Sequence, residues 1–147
     1  MRLFGHPVHP MLVAFPIALL ALTPVWDALA WVGVLHDGRV TAYYSEAAGL
    51  ITAGLAAIAG FADLIKIPQS ETANAKTALI HAGLALTMLS LFGVAFALRG
   101  GAAGSPGGLG LGLEAAGALC LAVTGWFGGE LVFRRGVGVE ATGPSRP

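Results

Sequence analysis

Four apolar runs of bilayer-spanning length, separated by short polar turns, restrict this chain to very few folds. A helix needs about 20 apolar residues to cross a membrane. Residues 11–34, 43–67, 77–98 and 109–133 each provide such a run. The connections are brief: His36-Asp37-Gly38-Arg39, then Pro68-Gln69-Ser70-Glu71, then the Gly-rich 99–108. Short connections force neighbouring helices to run antiparallel. The expected fold is therefore all-α, an integral membrane up-down four-helix bundle. It forms a single domain over 1–140, with a disordered tail at 141–147.

Composition agrees. Only 11% of residues are charged, against about 25% in an ordinary soluble domain. Eight basic and eight acidic residues cancel, which leaves no basic patch for nucleic acid. The single Cys120 lies within an apolar run, so neither an intramolecular disulfide nor a cysteine-based metal cage can form. Ala28-Leu29-Ala30 mimics a signal-peptidase site, but the apolar stretch before it is long for a signal peptide. Asp27 also sits just ahead of the cut, so the first run is expected to be retained.

Lys and Arg set the orientation. Arg2, Lys66, Lys76, Arg134, Arg135 and Arg146 share the side of the two termini and the second connection, while Arg39 and Arg99 take the other. By the positive-inside rule both termini are cytoplasmic in a plasma (inner) membrane. Trp26, Trp31, Tyr43 and Tyr44 would form the outer aromatic belt, and Phe4, Trp126 and Phe133 the inner one.

The second and fourth runs begin alike, Glu46-Ala47-Ala48-Gly49 and Glu114-Ala115-Ala116-Gly117. They also end alike, Phe61-Ala62-Asp63-Leu64 and Phe127-Gly128-Gly129-Glu130-Leu131. With His9 and His81 in the first and third runs, this describes two repeated helical hairpins about an axis along the membrane normal. Gly49, Ala53 and Ala57 form a small-residue ridge, and Gly125 with Gly129 a GxxxG step. Such faces serve close packing within the bundle or an oligomer interface.

Polar residues inside a span tend to face the bundle interior. His6, His9, Asp63, His81, Glu130 and Arg134 fall at the terminal side, with every helix contributing. Asp27, His36, Asp37, Glu46, Arg99 and Glu114 form a second set, placed shallower at the outer side. The opening Gly5-His6-Pro7-Val8-His9-Pro10 pins two histidines between prolines. Pro10 suits a first helical position, which makes His9 the N-cap, where Ser, Thr, Asp or Asn is the usual choice. An imidazole fixed in direction suits a ligand or proton-handling role. Bonding to backbone or lipid headgroups would suit it equally.

Three chemistries could use the histidine layer. Haem b could sit between His9 (or His6) and His81 on diagonal helices, whose axes are roughly 12–14 Å apart when neighbours pack at 8–10 Å. His6, His9, His81, Asp63 and Glu130 could instead bind a single Zn, Fe or Mn ion. In the third chemistry the acids and histidines relay protons or bind a cation, as in a proton- or ion-coupled transporter subunit. A structural or assembly subunit without cofactor is the fourth alternative. No nucleophile–base pair stands at useful spacing, so enzymatic activity is not expected.

The Gly-His-Pro-Val-His-Pro opening runs into Leu12-Val13-Ala14-Phe15-Pro16. Asp63-Leu64, His81, Gly128-Gly129-Glu130-Leu131-Val132 and Gly136-Val137-Gly138-Val139 follow. Together they resemble the domain of unknown function 2231 family, small predicted bacterial membrane proteins, over nearly the whole chain. Some relatives join Rieske-type iron–sulfur or c-type cytochrome domains, so the resemblance implies a redox setting and a redox protein partner. It favours haem or metal, with His9 and His81 as leading ligands and His6 in reserve. Asp63 and Glu130 would then orient the imidazoles. The family commonly carries a histidine just before Gly-Val-Gly-Val, where this chain has Arg135 preceded by Arg134. Those arginines could pair with haem propionates or anionic headgroups.

Overall fold

The computed structural model describes residues 2–3, 6–68 and 70–137. A minimal antiparallel ladder, β1 (Arg2–Leu3) with β2 (His6–Pro7), precedes the first span. That span comprises α1 (Val8–Leu12) and α2 (Ala14–Trp31). The interruption has a simple origin: Pro16 brings no N–H to the Leu12 carbonyl. Hydrogen bonds from Val13 N to His9 O and from Ile17 N to Val13 O, both 3.2 Å, carry the span across the break. Then come α3 (Gly38–Leu64), α4 (Thr72–Leu98) and α5 (Gly107–Gly129). A π-helical turn, Glu130–Arg134, closes the fourth span. Gly136, at φ +64, then turns the chain out of the helix, and Val137 N–H bonds back to the Leu131 carbonyl at 2.9 Å.

All four spans are long and apolar enough to cross a membrane. Their outward faces carry Phe15, Ile58, Leu79, Leu119 and Trp126, all exposed. A soluble monomer rarely shows so continuous an apolar surface, whereas lipid is its proper solvent. Of the two expected aromatic belts, Trp31, Tyr44, Trp126 and Phe133 are exposed as a belt requires; Phe4 and the tail 141–147 lie outside the described residues.

The helix bounds differ from the apolar runs. The first three spans start three to five residues earlier than expected, at Val8, Gly38 and Thr72, because hydropathy marks the lipid-facing stretch while the backbone ladder extends to the turns. The early start also removes His9 from the cap position. Pro7 is the N-cap, and His9 with Pro10 lies in the first turn, where helical N–H groups have no partner in any case.

The hairpin repeat is real at the level of packing. Asp27 and Arg99 are 72 positions apart, and the same spacing relates Leu20 to Phe92 and His9 to His81. A slightly shorter constant spacing relates Glu46 to Glu114, Gly49 to Gly117 and Gly60 to Gly128. Each pair occupies an equivalent contact. Leu20 packs onto Gly49 in the first hairpin, and Phe92 onto Gly117 in the second. Both large side chains are fully buried and join Ala53, Met88 and Leu121 in one core. The similar span ends noted in the sequence are out of this register: Gly60 answers Gly128, so Asp63 is opposite Leu131 rather than Glu130.

These two glycines set the interhelical distance. A Cβ on Gly49 would sit 2.6 Å from Leu20 Cδ2, and one on Gly117 2.8 Å from Phe92 Cε2. Gly49→Ala and Gly117→Ala are each expected to destabilise the bundle by about 1–3 kcal/mol through overpacking. Lowered unfolding midpoints in detergent would register the loss. Gly54→Ala is the control, since its Cβ would meet nothing within 4 Å.

Candidate functional site

Two polar layers occupy opposite ends of the bundle. At the end of the described termini, α1 supplies His9 and α4 supplies His81. Their ring centroids are 6.1 Å apart and their planes nearly perpendicular, at 84°. His9 Nδ1 lies 2.7 Å from the Ala56 carbonyl oxygen on α3, and His81 Nδ1 lies 3.0 Å from that of Thr124 on α5. A carbonyl can only accept, so each Nδ1 carries hydrogen and donates. In a neutral ring Nε2 then keeps its lone pair. Each histidine is thus anchored to the other helix of its own hairpin.

Small residues make room for the rings. A Cβ on Gly60 would lie 2.9 Å from His9 Nδ1, and one on Gly128 3.2 Å from His81 Cε1. Apolar cavities flank the pair. One of about 190 Å³ lies where α3 faces α4, and one of about 350 Å³ where the first span faces α5. His9 and His81 line both, so the imidazoles project into the seam between the hairpins. Gly125 and Gly129 line the larger cavity, so that GxxxG step borders the seam.

The other expected members of this layer are placed differently. Asp63 borders the smaller cavity and lies 3.9 Å from Lys66 Nζ. Glu130 faces Arg134 at 3.4 Å and Arg135 at 3.6 Å. Arg135 also donates to Asn74 Oδ1 at 3.3 Å. His6 belongs to β2, and its side chain lies outside the described residues. Among the described residues, no three His, Cys, Asp or Glu are grouped to hold a metal ion.

The second layer departs from the sequence reading. Asp27, Glu46, Arg99 and Glu114, expected at a shallow outer level, are buried, with relative exposures of 4%, 0%, 2% and 0%. Each comes from a different span. Arg99 Nη1 and Nη2 form a fork onto Asp27 Oδ1 and Oδ2 at 2.9 and 2.6 Å. Nε and Nη2 reach Glu46 Oε2 at 3.1 and 2.8 Å, and Nη2 reaches Glu114 Oε1 at 2.8 Å. His36 and Asp37 do stay exposed in their turn.

Counting residues along a span gives depth but not direction around the axis, and Arg99 adds a long side chain that folds back from the end of α4. One signal was available. The first, second and fourth spans carry an acid near the outer end, the third ends in arginine, and intramembrane charges usually pair.

No curated protein and no solved structure matches the chain. Residues 5–141 match a family described as predicted membrane protein, DUF2231. That span includes the opening histidine motif, all four helices and both polar layers, and the chain belongs to the DUF2231 family of predicted membrane proteins.

Proposed function

We propose that this protein holds b-type haem between His9 and His81 and carries electrons within the membrane. The supporting observation is the pairing of two anchored imidazoles whose centroids are 6.1 Å apart. An imidazole nitrogen sits about 2.0–2.1 Å from a first-row metal such as zinc. The two imidazoles would hold the iron, each through a ring nitrogen. Among the described residues no third ligand joins the two histidines, which favours a macrocycle over a lone Zn, Fe or Mn ion. The two flanking cavities, both lined by His9 and His81, would give such a group space.

Haem, when bound, supplies one-electron exchange. The chain's own residues contribute position and environment. The Ala56 and Thr124 carbonyls hold each ring in one tautomer and one direction, as outer partners of ligating histidines commonly do. Gly60 and Gly128 leave the rings their space, and the lining around them is mostly apolar. Arg134, whose side chain is 77% exposed, is assigned to a propionate or an anionic headgroup.

The histidine end is placed on the cytoplasmic side of the plasma membrane, where a redox protein partner would dock. Lys66, Lys76 and Arg134 are exposed at that end. Arg99, at the other end, is buried among acids, which leaves exposed Arg39 as its positive charge among the described residues. The positive-inside asymmetry is sharper than residue counting implied.

The test is an absorption spectrum of detergent-purified protein, oxidised and then reduced with dithionite, with metal analysis of the same sample. A reducible Soret and α band near one haem per chain is expected. Colourless, metal-free protein from haem-replete cells would overturn the reading.

A further inference from the structure

The Arg99 cluster has no part in haem binding. It lies 18 helical positions from the histidines, about 27 Å at 1.5 Å per residue. Glu46 is about 12 Å along the axis from the start of α3, so the cluster sits within the bundle rather than at its rim. Each of the four spans contributes one ionisable group to it: Asp27 from α2, Glu46 from α3, Arg99 from the end of α4 and Glu114 from α5. Fully ionised, three carboxylates would face one guanidinium, and the excess of two negative charges would be buried.

Hydrogen bonding distinguishes the three acids. Both oxygens of Asp27 bond to Arg99. Glu46 and Glu114 each bond to Arg99 through one oxygen only. Glu46 Oε1 and Glu114 Oε2 are buried without a hydrogen-bond partner. A buried anionic oxygen with no donor is far more costly than a neutral carboxyl group, so such groups take up a proton instead. Nη2 faces one oxygen from each acid, yet it has only two hydrogens for these three acceptors. That crowding adds to the penalty on a third negative charge.

We propose that this cluster is a two-proton binding site, with Asp27 and Arg99 as its fixed ion pair and Glu46 and Glu114 as the proton carriers. Each glutamate takes one proton from hydronium, so an O–H bond breaks there as one forms on the carboxylate, water is left and no electron is transferred, and the four side chains become neutral overall. The carriers are equivalent in the hairpin repeat, whereas Asp27 and Arg99 are the equivalent positions where the hairpins carry opposite charge. The site is therefore built on the repeat and depends on its one broken pair.

Infrared spectroscopy of the full chain in nanodiscs at neutral pH tests this directly. The wild type should show the carbonyl stretch of protonated carboxylic acid above the amide bands, moving to lower frequency in D2O. Glu46→Gln and Glu114→Gln should each remove about half of that intensity, and the double variant all of it. Each variant should stay folded, because a neutral amide replaces a neutral acid of the same shape. Three outcomes would overturn the proposal. One is a wild-type spectrum without the acid band; another is a band unchanged in both single variants. The third is single variants as unstable as Arg99→Leu, which would mean that the glutamates act as counter-ions.

Discussion

Arg99→Leu is expected to produce the largest loss of stability of any single substitution in this chain. It removes every charge-assisted bond of the buried cluster at once and strands Asp27, Glu46 and Glu114 in a core closed to water. Breaking a buried ion pair by deleting one partner costs about 3–5 kcal/mol, a large share of the 5–15 kcal/mol that holds a typical domain together. Arg99→Lys should recover only part of this, because an ammonium cannot make the planar fork onto Asp27. Arg39→Leu provides the comparison. Arg39 is exposed one connection away, and its loss should stay within about 0.5 kcal/mol. Unfolding midpoints in detergent, with the monodisperse fraction on gel filtration, would rank the three variants.

The second large effect is expected at the seam. If the proposed haem binds there, His9→Ala and His81→Ala should each abolish its spectrum, and to the same degree, since the rings are held by equivalent carbonyl anchors at 2.7 and 3.0 Å. Gly60→Ala and Gly128→Ala probe the same site without replacing either histidine. A Cβ at position 60 would come within 2.9 Å of the His9 ring, and one at 128 within 3.2 Å of the His81 ring. Both should weaken cofactor retention, the former more, by about the 10–100-fold seen when partners of metal ligands are altered. His36→Ala, in its exposed turn, should leave the spectrum unchanged. The readout is haem per chain after gel filtration. Equal retention in wild type, His9→Ala and His81→Ala would remove both histidines from the ligand set.

Much of the histidine layer was legible before any packing was known. Two histidines on alternate spans, each near the same end, are brought to one level by an up-down bundle, and the structure sets their rings 6.1 Å apart. Asp63 and Glu130 occupy that end too, yet Glu130 is drawn to Arg134 and Arg135. Sequence position could not foresee this, because the π-helical turn over Glu130–Arg134 shifts the direction of those side chains by part of a turn.

The burial of the outer cluster is hidden from the sequence for a related reason. Asp27 near the end of α2 and Arg99 just beyond α4 have the sequence positions of solvated residues. They are buried because Gly38 lets α3 begin close against the first span, where a Cβ would lie 2.7 Å from the Trp26 carbonyl oxygen. Contacts of that kind bring backbones together at the ends of the bundle and close it over the charges.

Residue order alone carries the spans, their alternation, the two-hairpin pattern and the end at which the histidines lie. Those properties follow from the free energy of apolar residues in lipid and from turn lengths, both of which are local. Only the tertiary structure decided which polar groups meet. That depends on the rotation of each helix about its axis, set by contacts such as Leu20 on Gly49 and Phe92 on Gly117 between residues far apart in the chain. The same rotations anchor His9 and His81 each within its own hairpin and gather three acids around one arginine.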